Sequence, residues 1–157
     1  MGKGFVSSHL MTLGADFSQK INTLSDGTTV RLQIWDVAGQ DSFKKVRTRF
    51  LMKTHGVLLI FDITRKDTFA NLTRWLQEVW QINQTRKIPL LIIGNKSDLS
   101  KTRIVTREMV LEYMKALRLK YIPHSYLAFL ETSAKTGKNI EKGFEKITAA
   151  LLDKVQK

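Results

Sequence analysis

The sequence predicts an α/β domain built on a mostly parallel sheet, and three observations carry that expectation. Apolar residues switch repeatedly along the chain between the period of a strand and that of a helix. Two continuous apolar runs, GVLLIFD at 56–62 and IPLLIIG at 88–94, have the composition of strands buried on both faces. Helical periods separate these runs, and alternating strand and helix is the order that βα units on a parallel sheet require. With 157 residues the chain is long enough for one domain with a sizeable core, and no repeat, low-complexity tract or linker divides it.

The elements follow in order. In VRLQIWD, at 30–36, Val30, Leu32 and Ile34 alternate with Arg31 and Gln33, the pattern of a strand with one buried face. The Asp26-Gly27 pair before it is a hairpin turn signal, so ADFSQKINTL at 15–24 is expected to be its antiparallel partner. SFKKVRTRFLMK, at 42–53, reads as a ragged helix. After the strand at 56–62, Phe69, Leu72, Leu76 and Val79 recur at helical steps. The strand at 88–94 follows, then a helix carrying Met109, Tyr113 and Leu117 behind Thr106 as its cap. YLAFLETS, at 126–133, is a weaker strand, and Ile140, Phe144, Ile147 and Leu151 mark the last helix.

Composition narrows the function classes. Hydrophobic residues at 43% and charged residues at 25% are ordinary for a globular protein. No apolar run is long enough to span a membrane, and the N-terminal segment has no signal-peptide core. The absence of cysteine excludes disulfides, thiolate metal sites, a cysteine nucleophile and a prenylated C-terminal cysteine. A cytoplasmic setting is the simplest expectation. Lys and Arg number 26 against 14 Asp and Glu, a net charge of +12, which attracts phosphates, acidic lipids, nucleic acid or acidic proteins without choosing among them. No aromatic-basic stacking motif or recognition helix accompanies the charge, so nucleic acid is not expected as the partner. His9, His55 and His124 are scattered and do not suggest a zinc site; Trp35, Trp75 and Trp80 are expected in the core or between helices.

Four polar clusters fall at or near strand ends, where ligands bind in open α/β sheets. In WDVAGQ, at 35–40, Asp36 could join a Mg²⁺ shell, Gly39 lets a backbone N–H approach a phosphate, and Gln40 could orient an attacking water. A tight turn explains the same residues. In NKSD, at 95–98, the Asp98 carboxylate can accept two N–H donors from one base edge. The Asn95 amide can donate beside it, and the Lys96 stem can lie along the ring, an arrangement that separates guanine from adenine. A polar βα loop is the alternative. In ETSAK, at 131–135, small Ser133 and Ala134 let main-chain N–H groups reach a ligand oxygen, or merely begin a helix. In FVSSHLMTLGADF, at 5–17, Thr12 offers a hydroxyl to Mg²⁺, or is simply a residue of high strand propensity.

In this order and spacing, TLGADF, WDVAGQ, GNKSDL and ETSAK resemble the Ras superfamily of small GTPases, and RLQIWDVAGQDSF, FDIT and WLQEV look most like its Rab branch. The resemblance runs from about Phe5 to the end of the last helix. It implies a three-layer, P-loop NTPase-like G domain that binds GTP and GDP with Mg²⁺, hydrolyses GTP, and presents two switch loops to effector and regulatory proteins. By resemblance, Phe5 packs on the guanine, Thr12 binds Mg²⁺ and senses the γ-phosphate, and Asp36 is the Mg²⁺-associated carboxylate. Gly39 contacts the γ-phosphate, Gln40 positions the hydrolytic water, and Asn95, Lys96 and Asp98 read the base with support from Ser133, Ala134 and Lys135.

The chain departs from the pattern in one large respect. The family opens with a strand, a G-x-x-x-x-G-K-[ST] loop and a helix, and no such motif is present; Gly2-Lys3 has no strand before it and no Ser or Thr after it. The expectation is therefore a single, partial G domain over 1–157, N-terminally truncated so that the central first strand is absent. Two inner sheet edges are then unpaired, and nucleotide binding is weak or lost because the main phosphate donors are missing. A start assigned at an internal methionine, or a fragment, accounts for this. His9 stands where many relatives carry tyrosine, ALRLKYIPHSYLAF at 116–129 is several residues longer than usual, and LLDKVQK carries no lipidation tail. Electrostatic contact with an anionic membrane is then the most that is expected, without a stable lipid anchor. The competing expectation is a non-catalytic interaction module that binds a partner through its basic surface or through FKKVRTRF at 43–50.

Overall fold

A computed structural model describes residues 15–37, 39, 44–85, 87–122 and 125–155, with backbone alone at 46, 154 and 155. Its elements run β1 (Ala15–Thr23), β2 (Thr29–Val37), α1 (Lys44–Leu51), β3 (Val57–Asp62), α2 (Lys66–Ala70), α3 (Leu72–Asn83), β4 (Leu90–Asn95), a 3₁₀ segment (Ser97–Thr102), α4 (Arg107–Lys120), β5 (Leu127–Glu131) and α5 (Ile140–Val155). The order is the expected one. The helical stretch from Phe69 to Val79 divides at Asn71 into α2 and α3.

Local chemistry explains several boundaries. Gly27 takes a φ of 86° at the β1–β2 turn, where a Cβ would be strained, and Asp26 Oδ1 accepts from the Thr28 amide at 2.8 Å. Thr106 caps α4 by accepting from the Met109 amide, satisfying one of the donors a helix start leaves free.

The described strands form two sheets. β3, β4 and β5 pair in parallel with β4 in the centre, whereas β1 and β2 form a separate antiparallel hairpin. The expected parallel sheet is present as β3–β5, and the hairpin stands apart from it, as the expectation of an absent strand between those of Ile34 and Leu59 implies. Among the described residues β2 and β3 each have one hydrogen-bonded neighbour.

The parallel sheet is covered on both faces, which accounts for the unbroken apolar runs. On one face Leu59, Phe61, Leu90 and Ile92 pack with Leu72, Leu76 and Trp80 of α3 and Val110 and Leu117 of α4. On the other, Leu91 and Ile93 pack on Ile147 of α5. This is the three-layer order of a G domain. α5 also holds the hairpin: Lys20 pairs with Glu141 at 2.8 Å, and Asn22 donates to Thr148 Oγ1 at 3.0 Å. On the hairpin's far face Trp35 lies 4.7 Å from Phe17 and 4.6 Å from Phe50 of α1. Trp35 is 42% exposed, so of the three tryptophans assigned to packing it lies on the surface, while Trp80 is buried.

Gly94 shows how tightly β4 is set. A Cβ there would stand 3.1 Å from both Ile63 Cγ2 and Phe61 Cζ and 3.4 Å from Phe129 Cε2. Gly94→Ala should therefore cost about 1–3 kcal/mol by overpacking, read as a lower urea midpoint with unchanged slope. A midpoint equal to wild type would show that this contact gives way freely.

Candidate functional site

β4 delivers Asn95 to the end of the sheet, in parallel register with Asp62 of β3, while Gly94 stands opposite Glu131 of β5. The two loops that leave β4 and β5 are stitched together. The Ser97 amide donates to the Thr132 carbonyl at 2.9 Å, and the Thr132 amide to the Gly94 carbonyl at 2.9 Å. Asn95 Oδ1 accepts from the Ala134 amide at 3.1 Å and the Thr132 hydroxyl at 3.3 Å. With its carbonyl oxygen held inside the loop pair, Asn95 has its Nδ2 donors to offer to a ligand.

Ser133 is fully buried, and its hydroxyl joins the second half of the site. It donates to Asp98 Oδ1 at 2.5 Å and accepts from the Thr136 amide at 3.2 Å. That hydrogen bond holds the Asp98 carboxyl below its ordinary range, with help from Lys135 and Lys96. Asp98 is therefore an ionised, acceptor-only group at neutral pH. The Ser133 amide donates to the Lys138 carbonyl, and Asn139 Nδ2 donates to the Glu131 carbonyl at 2.8 Å. Both main-chain donors expected of Ser133 and Ala134 thus have internal partners, so a ligand oxygen at Ala134 competes with Asn95 for that amide. Lys135 is exposed beside them. The Ser97 hydroxyl is buried, with no hydrogen-bond partner among the described residues.

Sequence reasoning missed Asp62. Lys96 has a left-handed backbone, φ 66°, and its Nζ lies 2.7 Å from Asp62 Oδ2. Asp62 Oδ1 accepts from the Thr64 amide at 2.8 Å and the Thr64 hydroxyl at 2.7 Å. Burial pushes the Asp62 carboxyl up, but the hydrogen bonds from Lys96 and Thr64 outweigh it and leave it below the ordinary range. The signal available in the sequence was positional: FDIT and GNKSD each follow an apolar run, and parallel pairing sets their ends side by side. Behind them Arg103 bridges to Glu131 through two bonds of 2.8 and 3.0 Å.

The residues around Gly39 are less completely described. Gly39 lies against α3: a Cβ would stand 3.2 Å from Trp75 Cζ2, and Arg74 Nη2 donates to the Gly39 carbonyl at 3.3 Å. Arg47, buried in α1, lies 5.1 Å over the Trp75 ring and pairs with Glu78 at 2.9 Å. Asp36 is exposed near the end of β2, opposite Asp16 in the hairpin register. Phe5, Thr12 and Gln40 lie outside the described residues, as do His9 and His124; His55 is exposed. Among the described residues no group of three or more His, Asp or Glu is arranged to hold a metal ion. The structure thus assembles Asn95, Lys96, Asp98, Ser133, Ala134 and Lys135 at one strand-end site and sets Gly39 on a neighbouring helix. No described helix is long and apolar enough to cross a membrane. The family model described as the Ras family matches residues 1–153 of the chain.

Acid should probe the Asp62–Lys96 pair. A carboxyl whose folded pKa is depressed contributes stability that is complete above its unfolded value near 3.8 and is lost as pH falls through the folded value. Asp62→Asn should lower stability at neutral pH by about 1–2 kcal/mol and flatten the loss on the acid side. Thermal unfolding of both chains between neutral pH and pH ~2 checks this; parallel curves would mean that the pair contributes nothing.

Proposed function

The chain belongs to the Ras family, and from that premise we propose that the loops after β4 and β5 read the base of a guanine nucleotide. The observation that carries this reading is the pair of bonds across the two loops, Ser133 to Asp98 and Ala134 to Asn95. They fix an ionised carboxylate and an amide side by side at the carboxyl ends of parallel strands. Asp98 can accept from both the ring N–H and the exocyclic amino group of guanine. Adenine presents a lone pair in place of the ring N–H, which would leave Asp98 facing an acceptor. The Lys96 stem flanks the ring while Asp62 holds its ammonium on the β3 side.

Family membership supports GTPase activity in general, and we assign its parts by resemblance. Gln40 orients the water that attacks the γ-phosphate, Gly39 approaches that phosphate, and Phe5 packs on the guanine. Thr12 and Asp36 are the oxygen donors that suit Mg²⁺, which neutralises phosphate charge when bound. The switch loops then present different surfaces to effectors and regulators in a cytoplasmic, Rab-like protein without a nucleic-acid partner. The row of tilted rings Phe17, Trp35 and Phe50, of which Phe17 and Trp35 are exposed, supports a partner surface there, since contiguous exposed aromatic area is characteristic of binding sites.

A second reading, a non-catalytic interaction module, is favoured by one observation: the 157 residues contain no G-x-x-x-x-G-K-[ST] segment to cradle phosphates. On either reading phosphates should add little to the affinity of this chain. Equilibrium dialysis with guanosine, GDP and ADP separates the two. Base reading predicts a preference of at least about tenfold for guanine over adenine, lost in Asp98→Ala, with guanosine and GDP within about tenfold of each other. Equal uptake of ADP, or binding indifferent to Asp98→Ala, would sink the base-reading proposal. No binding of any of the three would leave the interaction module.

A further inference from the structure

We propose that the cleft between α4 and the start of β5 docks an acidic segment of another protein through one large apolar side chain. Among the described residues Met114, Lys115, Arg118, Leu119 and Leu127 line the cleft, around a volume of about 210 Å³. Leu119 is 76% exposed and Leu111 48%. At spacings of four along α4, Leu111, Lys115 and Leu119 lie on one face. An exposed leucine alone is ordinary; two on one face beside a concave, apolar-floored site mark a surface built for contact. Arg118, Leu119 and Leu127 fall within 116–129, and Leu111, Met114 and Lys115 precede it on α4.

Charge selects the occupant. Among the described residues the lining carries the cations Lys115 and Arg118 and no carboxylate; Glu112 and Glu108 stand on the same face of α4, one and two turns before Lys115 and outside the lining. Arg118 is positioned by donating to the Ser125 carbonyl at 3.2 Å. A second copy of the chain would bring the same cations to the same cleft, a like-charge contact in a molecule of net charge +12. An anionic lipid surface could receive the leucines, but it supplies neither a side chain for the cleft nor a backbone for the edge of β5. That strand has β4 as its one hydrogen-bonded neighbour among the described residues. A peptide with an apolar anchor between acidic residues meets all three features, with main-chain groups available to the strand edge.

Short random peptides displayed on phage, selected on the full chain and counter-selected on Leu119→Lys, test this directly. Leu119 is mostly exposed, so the variant should fold, and its circular dichroism and thermal midpoint confirm that it does. The expected result is enrichment of peptides with Asp or Glu around a Leu, Phe or Trp. Synthetic copies should bind the chain with an affinity that falls at least about tenfold in Leu119→Lys and in Lys115→Glu and weakens with salt. Three results would overturn the proposal. One is no enrichment, or enriched peptides that lack acidic residues or bind both variants as well as wild type. Another is a concentration-dependent dimer in sedimentation that Leu119→Lys abolishes, which would assign the cleft to a second copy. The last is binding to phosphatidylserine vesicles that Leu119→Lys abolishes, which would assign it to a lipid surface.

Discussion

β4 is hydrogen-bonded on both edges and buried on both faces, and its parallel register brings Asp62 beside Asn95 and Glu131 beside Gly94. Slipping it by one residue would turn Leu90 and Ile92 away from α3 and α4 and exchange them with Leu91 and Ile93. The register is therefore held by the whole core, and the polar groups at the strand ends inherit that rigidity. Gly94 completes the arrangement, because the phenyl rings of Phe61 and Phe129 close over the space a side chain would need.

Beyond the strand ends, polar bonds take over from apolar packing. Lys96 and Asn139 have left-handed backbones, an unfavourable geometry for residues with a Cβ, and both side chains are held. Lys96 reaches Asp62 and Asn139 caps the Glu131 carbonyl. Strain at two positions is offset by the hydrogen bonds that it permits, and the result is a carboxylate at Asp98 and an amide at Asn95 kept in fixed relation. In a chain carrying so much positive charge, the carboxyl groups of Asp62, Asp98 and Glu131 are each met by a local donor or cation.

The hairpin is attached by different means. No strand pairing among the described residues joins it to the parallel sheet; Lys20 and Asn22 tie it to α5, and Trp35 ties it to Phe50 of α1. α1 is in turn clamped to α3 by Arg47, Glu78 and Trp75, the same indole that lies against Gly39. Gly39 and the aromatic row of the hairpin are thus connected through side-chain packing on α1 and α3, which gives this part of the molecule a mechanical basis distinct from that of the loops after β4 and β5.

Much of this was legible in the residues themselves. The alternation in VRLQIWD marked β2, the apolar runs marked β3 and β4, Asp26-Gly27 marked the turn and Thr106 marked the start of α4, because periodicity and backbone preference are local properties. NKSD and ETSAK were legible as neighbours for a related reason: each follows a strand, and strand ends in a parallel sheet converge. Tertiary structure alone decided the partners. That Lys96 pairs with Asp62, that Asn95 occupies the Ala134 amide, that Trp35 is exposed and Arg47 buried, and that the strands divide into two sheets all depend on contacts between distant segments. A pattern of apolar positions records which face of an element is buried; it does not record what that face meets, or which of several charged groups lies within reach at the end of a strand.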